Sequence, residues 1–209
     1  MRDFFNPEKG VWAWLSTLVD ICGLSILWIF LCLPLVTIGP ATAALYFAVV
    51  TCVRKRESGA FKAFFHSLRQ NLRTGLPATA IALALALLLA GGHRIMEWYG
   101  TRLGGWAYAA YVAYHFALLA PAGVLCWLSP LLGRFEYRVG GLFAMALRLA
   151  LAHLPSTVVV TLLTAETAVW CVEKWWPVLF MPAVTALLAS LFLERIFQKY
   201  APELKEETA

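Results

Sequence analysis

The sequence predicts an all-α polytopic membrane bundle. It has about six transmembrane helices, five if the first hairpin is re-entrant, plus one or two interfacial amphipathic helices. Three observations carry this. Hydrophobic residues make up 61% of the chain and charged residues only 14%, against about 45–50% and about 25% in soluble domains. Mean hydropathy is +0.73. The charges are also segregated, leaving uncharged runs of 33 residues (Ile21–Val53), 19 residues (Thr74–Gly92) and 31 residues (Leu103–Gly133). A helix needs about 20 apolar residues to cross a hydrocarbon core of about 30 Å.

At 209 residues the chain is expected to form a single integral membrane domain, 1–209. Residues 1–12 mix Arg2, Asp3, Glu8 and Lys9 with Phe4, Phe5 and Trp12, a pairing that suits a membrane–water interface. The apolar stretch that follows is too long for a cleavable signal, and no small-residue cleavage site follows it. The run Ile21–Val53 overshoots a single span. Pro34, Gly39 and Pro40 near its middle predict a helical hairpin with spans near 14–35 and 40–53. At the turn, Gly39 is read as permitting a backbone conformation that a side chain would block. Pro40 suits the first turn of a helix, and Thr37 or Thr42 is expected to cap the second helix. This hairpin role is structural rather than ligand-binding.

Residues 54–73 carry six Lys/Arg and one acid. From Gly59 onward Phe61, Phe64, Phe65, Leu68 and Leu72 share one helical face, and Lys62, His66, Arg69 and Arg73 take the other. An interfacial helix near 59–73 is therefore expected, anchored by Phe61, Phe64 and Phe65 with Arg69 and Arg73 toward headgroups. A cytoplasmic loop helix packed on the bundle is the alternative. A third span is expected near 74–92, then a loop over 93–105 with aromatic residues around it. A fourth span near 105–130 is expected to be tilted or kinked at Pro121 and to end near Pro130. A second short amphipathic helix near 140–152 and spans near 154–172 and 177–193 complete the chain.

With six spans, the inner segments hold 14 Lys/Arg and the outer ones 3. The positive-inside rule then places both termini in the cytoplasm. Basic loop, short helix and proline recur as Arg54…Pro77 and Arg134…Pro155, the outline of a parallel internal repeat.

The chain has no H-E-x-x-H, no G-x-S-x-G and no phosphate-binding glycine loop. No enzyme activity, cofactor or metal site is expected. The basic residues are too dispersed for nucleic acid to be a ligand. The five cysteines, Cys22, Cys32, Cys52, Cys126 and Cys171, form no C-x-x-C and read as small apolar side chains. Two residues stand out as candidate intramembrane polar groups. Glu166 falls inside a span, where an ionisable group is costly and defaults to a functional hypothesis; near the outer interface it could instead pair with Arg94, Arg102 or Lys174. His115, among Tyr111, Tyr114 and Phe116, reads either as a packing histidine or as a proton partner.

The segment LPLVTIGPATAAL, residues 33–45, with a first helix ending in Leu-Pro, resembles the YesL-like family of bacterial integral membrane proteins, known by a domain-of-unknown-function label. FKAFFHSLRQNLR, residues 61–73, is similar to that family's aromatic-basic segment. The resemblance implies a bacterial cell-membrane protein encoded beside sugar permeases, sugar-binding proteins and sensor kinases. It implies an accessory or adaptor of carbohydrate uptake or sensing, with a sugar permease or membrane sensor kinase and the lipid bilayer as partners. A small autonomous sugar transporter is the alternative. No catalytic residues come with the family.

Overall fold

Pro34 has no backbone N–H to continue a helix, and α1 (Val11–Cys32) stops two residues before it. This is a computed structural model. It describes residues 11–54 and 59–206, with side chains described for 16–54 and 59–200. The interfacial reading of the N-terminus and the charges at 55–58 lie outside the described residues. A short 3-10 turn, Leu35–Thr37, leads into α2 (Ile38–Ala48), which widens into a π-helical segment, Val49–Arg54. Leu35–Arg54 is 20 residues long, about 30 Å. The hairpin is therefore present, and its second arm is long enough to cross a bilayer.

The turn is held differently from the expectation. Thr37 is the N-cap residue of α2, but its side chain makes no capping bond. Its hydroxyl donates instead to the carbonyls of Leu31 and Pro34, satisfying the orphan end of α1. Thr42 donates to the Ile38 carbonyl at 2.7 Å and accepts the Trp28 indole N–H at 3.0 Å. Gly39 lies inside α2, and its φ is not among the positive ones. What it supplies is space, since a Cβ there would run into the Thr79 hydroxyl. One helical turn lower on the facing helix, a Cβ on Gly75 would sit 2.6 Å from Pro40 Cγ. Small residues at these points let two membrane helices approach closely.

The facing helix is α3 (Ala60–Leu103), a continuous 44 residues, about 66 Å long. This corrects two expectations. Residues 59–73 are not a separate interfacial helix, because Pro77 sits inside α3 without ending it. Gly75, Ala78 and Thr79 are buried on both sides of the proline, and that packing holds the helix through the missing bond. The amphipathic pattern itself was real. Phe64 is fully buried and Leu68 buried, while Lys62, Arg69 and Arg73 are exposed. Phe64 packs with Ile21, Leu24, Ala44 and Leu45 in the core between α1, α2 and α3. Phe61 and Phe65 stay exposed, so the predicted aromatic anchor is split between core and surface.

The second correction is the expected 93–105 loop, which is helical to Leu103. The chain turns at Gly104 and Gly105, with φ of +61° and +56°, a region that side-chain-bearing residues avoid. α4 (Gly105–Ala117) folds back on α3, with the Tyr114 hydroxyl donating to the Leu89 carbonyl at 3.1 Å. α4 gives way to α5 (Leu119–Arg134) at Leu118. The ring of Pro121 crowds the carbonyl four residues back, on Ala117, which accounts for the predicted kink. Pro130, however, lies inside α5 rather than at its end.

α6 (Val139–Ala152) presents Leu142, Met145, Ala146 and Leu149 to the core. α7 (Leu154–Glu173) then begins beside the start of α5, not its end. Gly123 is against Thr157, and the Trp127 indole N–H donates to the Thr157 hydroxyl at 2.9 Å. α6 thus packs along α5, and its bounds match the short helix expected at 140–152. The repeat is not kept: Pro77 is mid-helix, whereas Pro155 opens α7 after a break at His153. A 3-10 turn, Trp176–Leu179, joins α7 to α8 (Met181–Glu206), which is longer than the expected 177–193. α8 packs antiparallel to α7, with Thr167 bonded to Thr185 at 2.5 Å and His153 stacked edge-on to Tyr200.

Among the described residues there is no strand, and five helices are long and apolar enough to cross a membrane: Leu35–Arg54, Ala60–Leu103, Gly105–Arg134, Leu154–Glu173 and Met181–Tyr200. The described apolar part of α1, Ser16–Cys32, is shorter. The largest core gathers around Trp127, Leu131, Leu142 and Phe197, where α2, α5, α6 and α8 meet.

Candidate functional site: a buried ion pair beside a cavity

Glu194 lies mid-way along α8 and is only 3% exposed. Leu193 precedes it, and Ile196 and Phe197 follow it on the buried face, so the helix carries the carboxylate into the core. Its Oε2 accepts from Arg134 Nη2 at 2.6 Å. Arg134 is the last residue of α5, and the Gly133 carbon beside it lies so close to the Ala43 carbonyl that a Cβ would be 2.7 Å away. Its other oxygen, Oε1, accepts from the Tyr46 hydroxyl of α2 at 3.2 Å. One helical turn along α8, Ser190 offers its backbone carbonyl and its hydroxyl to the guanidinium of Arg54. Two cations, one anion and a phenol therefore converge from α2, α5 and α8. A buried carboxylate is tolerated because both its oxygens are bonded and one partner is a cation.

Tyr46 has a second role. While its oxygen bonds Glu194, its side chain also forms part of the wall of a cavity of about 400 Å³ between α1, α2, α5, α7 and α8. Trp28, Thr42, Ser129, Thr164, Thr167 and Thr185 contribute to the rest of the lining. The size is that of a small-molecule site, and most of the wall is carbon.

Neither residue singled out from the sequence belongs to this arrangement. Glu166 is exposed on the outer face of α7, flanked by exposed Leu162, Val169 and Trp170. No hydrogen bond or ion pair to it is formed among the described residues. The expected partners are engaged elsewhere or at a distance: Arg94 lies 3.7 Å from Glu97, and Arg102 stacks over Trp98. His115 meets His93 across the α3–α4 pair, Nδ1 to Nε2 at 3.1 Å, with Tyr111 beside both rings. It is exposed and does not line the cavity. Pro34, Thr37, Gly39, Pro40 and Thr42 shape the hairpin, and only Thr42 of these reaches the cavity. Among the described residues no group of histidine, cysteine and carboxylate side chains is placed to hold a metal ion.

The sequence reading ends the last span at 193, one residue before Glu194, and puts Arg134 in a basic loop. The available signal was the apolar spacing Ala189, Leu193, Ile196, Phe197, Tyr200, which runs past Glu194 at helical period.

Residues 21–91 match the family model described as "Protein of unknown function, DUF624". That designation is the one the YesL-like family carries, so the resemblance is shown over this segment. No curated protein and no solved structure matches the chain. The matched segment contains the hairpin, Tyr46, Arg54 and most of α3. Arg134, Glu194 and the α7 face lie outside it.

Proposed function

We propose that this multi-pass membrane protein is a non-catalytic accessory or adaptor component of bacterial carbohydrate uptake or sensing. It docks on a sugar permease or a membrane sensor kinase of the cell membrane through the outer face of α7. The observation that carries the reading is Glu166. A carboxylate on an otherwise apolar span face is costly against lipid, and a partner helix offering a donor removes that cost. The carbohydrate context comes from the family resemblance.

The test is a photo-crosslinker at Leu162 or Val169, at native expression, with capture from membranes. A permease or sensor kinase bridged from these positions, and lost on Glu166→Leu, is the expected outcome. Crosslinks to lipid and to other copies of this chain alone would sink the adaptor reading. The six Lys/Arg of residues 54–73 favour the cytoplasmic side for that segment in this proposal. A cysteine at Ser58 is then labelled only from inside, and one at Gly104 is labelled from outside.

The second reading is an autonomous transporter, favoured by the Tyr46–Glu194–Arg134 cluster at the edge of the cavity. Purified protein in liposomes moving a sugar, with or without a proton gradient, is its expected signature. Sugar flux that persists in the Glu166→Leu variant supports the transporter over the adaptor.

A further inference from the structure

We infer that the cavity between α1, α2, α5, α7 and α8 is a binding site for one hydrocarbon chain of a membrane phospholipid. The argument is a count of donors. A polyhydroxylated ligand needs protein groups free to exchange hydrogen bonds with it. Five aliphatic hydroxyls line the cavity, and four have committed their protons. Thr42 donates to Ile38 O, Thr164 to Val160 O at 2.8 Å and Thr167 to Leu163 O at 2.8 Å. Thr185 then donates to Thr167. The Trp28 N–H is taken by Thr42, and the Tyr46 hydroxyl by Glu194. Ser129 is the remaining donor among the lining hydroxyls, and a sugar would otherwise find only spare lone pairs on threonine oxygens.

Beyond these groups, Ser129, Cys126 and Cys171, the wall is methyl, methylene and ring carbon, from Leu45, Leu125, Val160, Ala186 and the faces of Trp28 and Tyr46 among others. Thr164 and Ala168 are both lining and exposed, so the cavity reaches the molecular surface along α7. α7 is one of the helices long and apolar enough to span. The medium at that mouth is bilayer, and the group at hand is an acyl chain. Threonines that bond their own helix serve this site, because they turn polar oxygen inward and methyl outward. The inference is independent of the docking proposal, since Glu166 does not line the cavity.

The test uses the full-length protein in detergent micelles titrated with a phosphatidylglycerol carrying one parinaroyl chain, read as energy transfer from tryptophan. Subtracting the Trp28→Phe signal isolates Trp28. A saturable Trp28 component is expected, with apparent affinity lowered about ten-fold or more by Ala186→Phe, which fills the cavity. Val172→Phe, on the exposed surface, is expected to change nothing. Circular dichroism checks the fold of each variant; if Ala186→Phe fails it, Ala168→Phe at the mouth gives the same reading. Non-saturable transfer, transfer insensitive to a folded filling variant, or displacement of the probe by free glucose would each overturn the inference.

Discussion

Glu194 and Glu166 are both glutamates on helices long enough to span, and they are opposites in every other respect. Glu194 is buried, with each oxygen bonded to a different helix. Glu166 is exposed on an apolar face, without a bonded partner among the described residues. Glu194 was inconspicuous in the sequence because Arg195 and Lys199 follow it and make the segment look like a tail. Glu166 was conspicuous because no charge stands near it until Glu173. The difference teaches that the local density of charge reports isolation along the chain, not isolation in space. A carboxylate that looks solvated can be the centre of the core, and one that looks buried can face outward.

Breaking the Glu194 side should have the largest effect. Glu194→Leu leaves the half-buried Arg134 without its anion, and a loss of about 3 kcal/mol, the low end for breaking a buried pair, is expected. Loss of helical signal in a denaturing-detergent titration measures it. The double change Arg134→Met with Glu194→Leu should recover most of the loss, because no uncompensated charge remains. If the double variant is no better than the single, the pair is not the reason for the loss.

A smaller effect is expected at Tyr46→Phe. One carboxylate oxygen then lacks its donor, at about 1–3 kcal/mol, and the ring that faces the cavity is kept. The same titration reads it, and phospholipid-chain binding should be unchanged. Weaker still should be Ser190→Ala, near 1 kcal/mol, because Arg54 keeps the Ser190 backbone carbonyl.

The smallest stability change belongs to Glu166→Leu, within about 0.5 kcal/mol in the isolated protein. Its effect should appear only as lost crosslinking to a partner. A destabilisation as large as that of Glu194→Leu would mean the two carboxylates are not opposites, and that Glu166 is held by contacts within the chain.

Two prolines repeat the lesson at the level of the backbone. Pro77 and Pro155 both follow a basic loop and an amphipathic stretch, and from the sequence they mark the same boundary. Pro155 opens α7, where its missing N–H is one of the orphans of a first turn. Pro77 sits in the middle of α3, because Gly75, Ala78 and Thr79 pack the helix onto α2 across the gap. A proline removes one bond whatever the context. Neighbouring helices decide whether that loss ends a helix.

The sequence alone determined the class of the protein, because segregation of charge from long apolar runs leaves helices as the only economical spanning form. It also determined the hairpin at Pro34–Pro40, the break before Pro121, the inward face of residues 60–73 at Phe64 and Leu68, and the resemblance to the DUF624 model over residues 21–91. Each of these depends on backbone chemistry or on periodicity within one segment. Only the tertiary structure decided that α3 is one helix, that α6 packs along α5, and that Tyr46, Arg134 and Glu194 meet. It alone decided that four of the five aliphatic hydroxyls around the cavity already donate within the protein. Those outcomes depend on residues as far apart as 46 and 194, and on which helix supplies the missing partner. Nothing local in the chain encodes that separation.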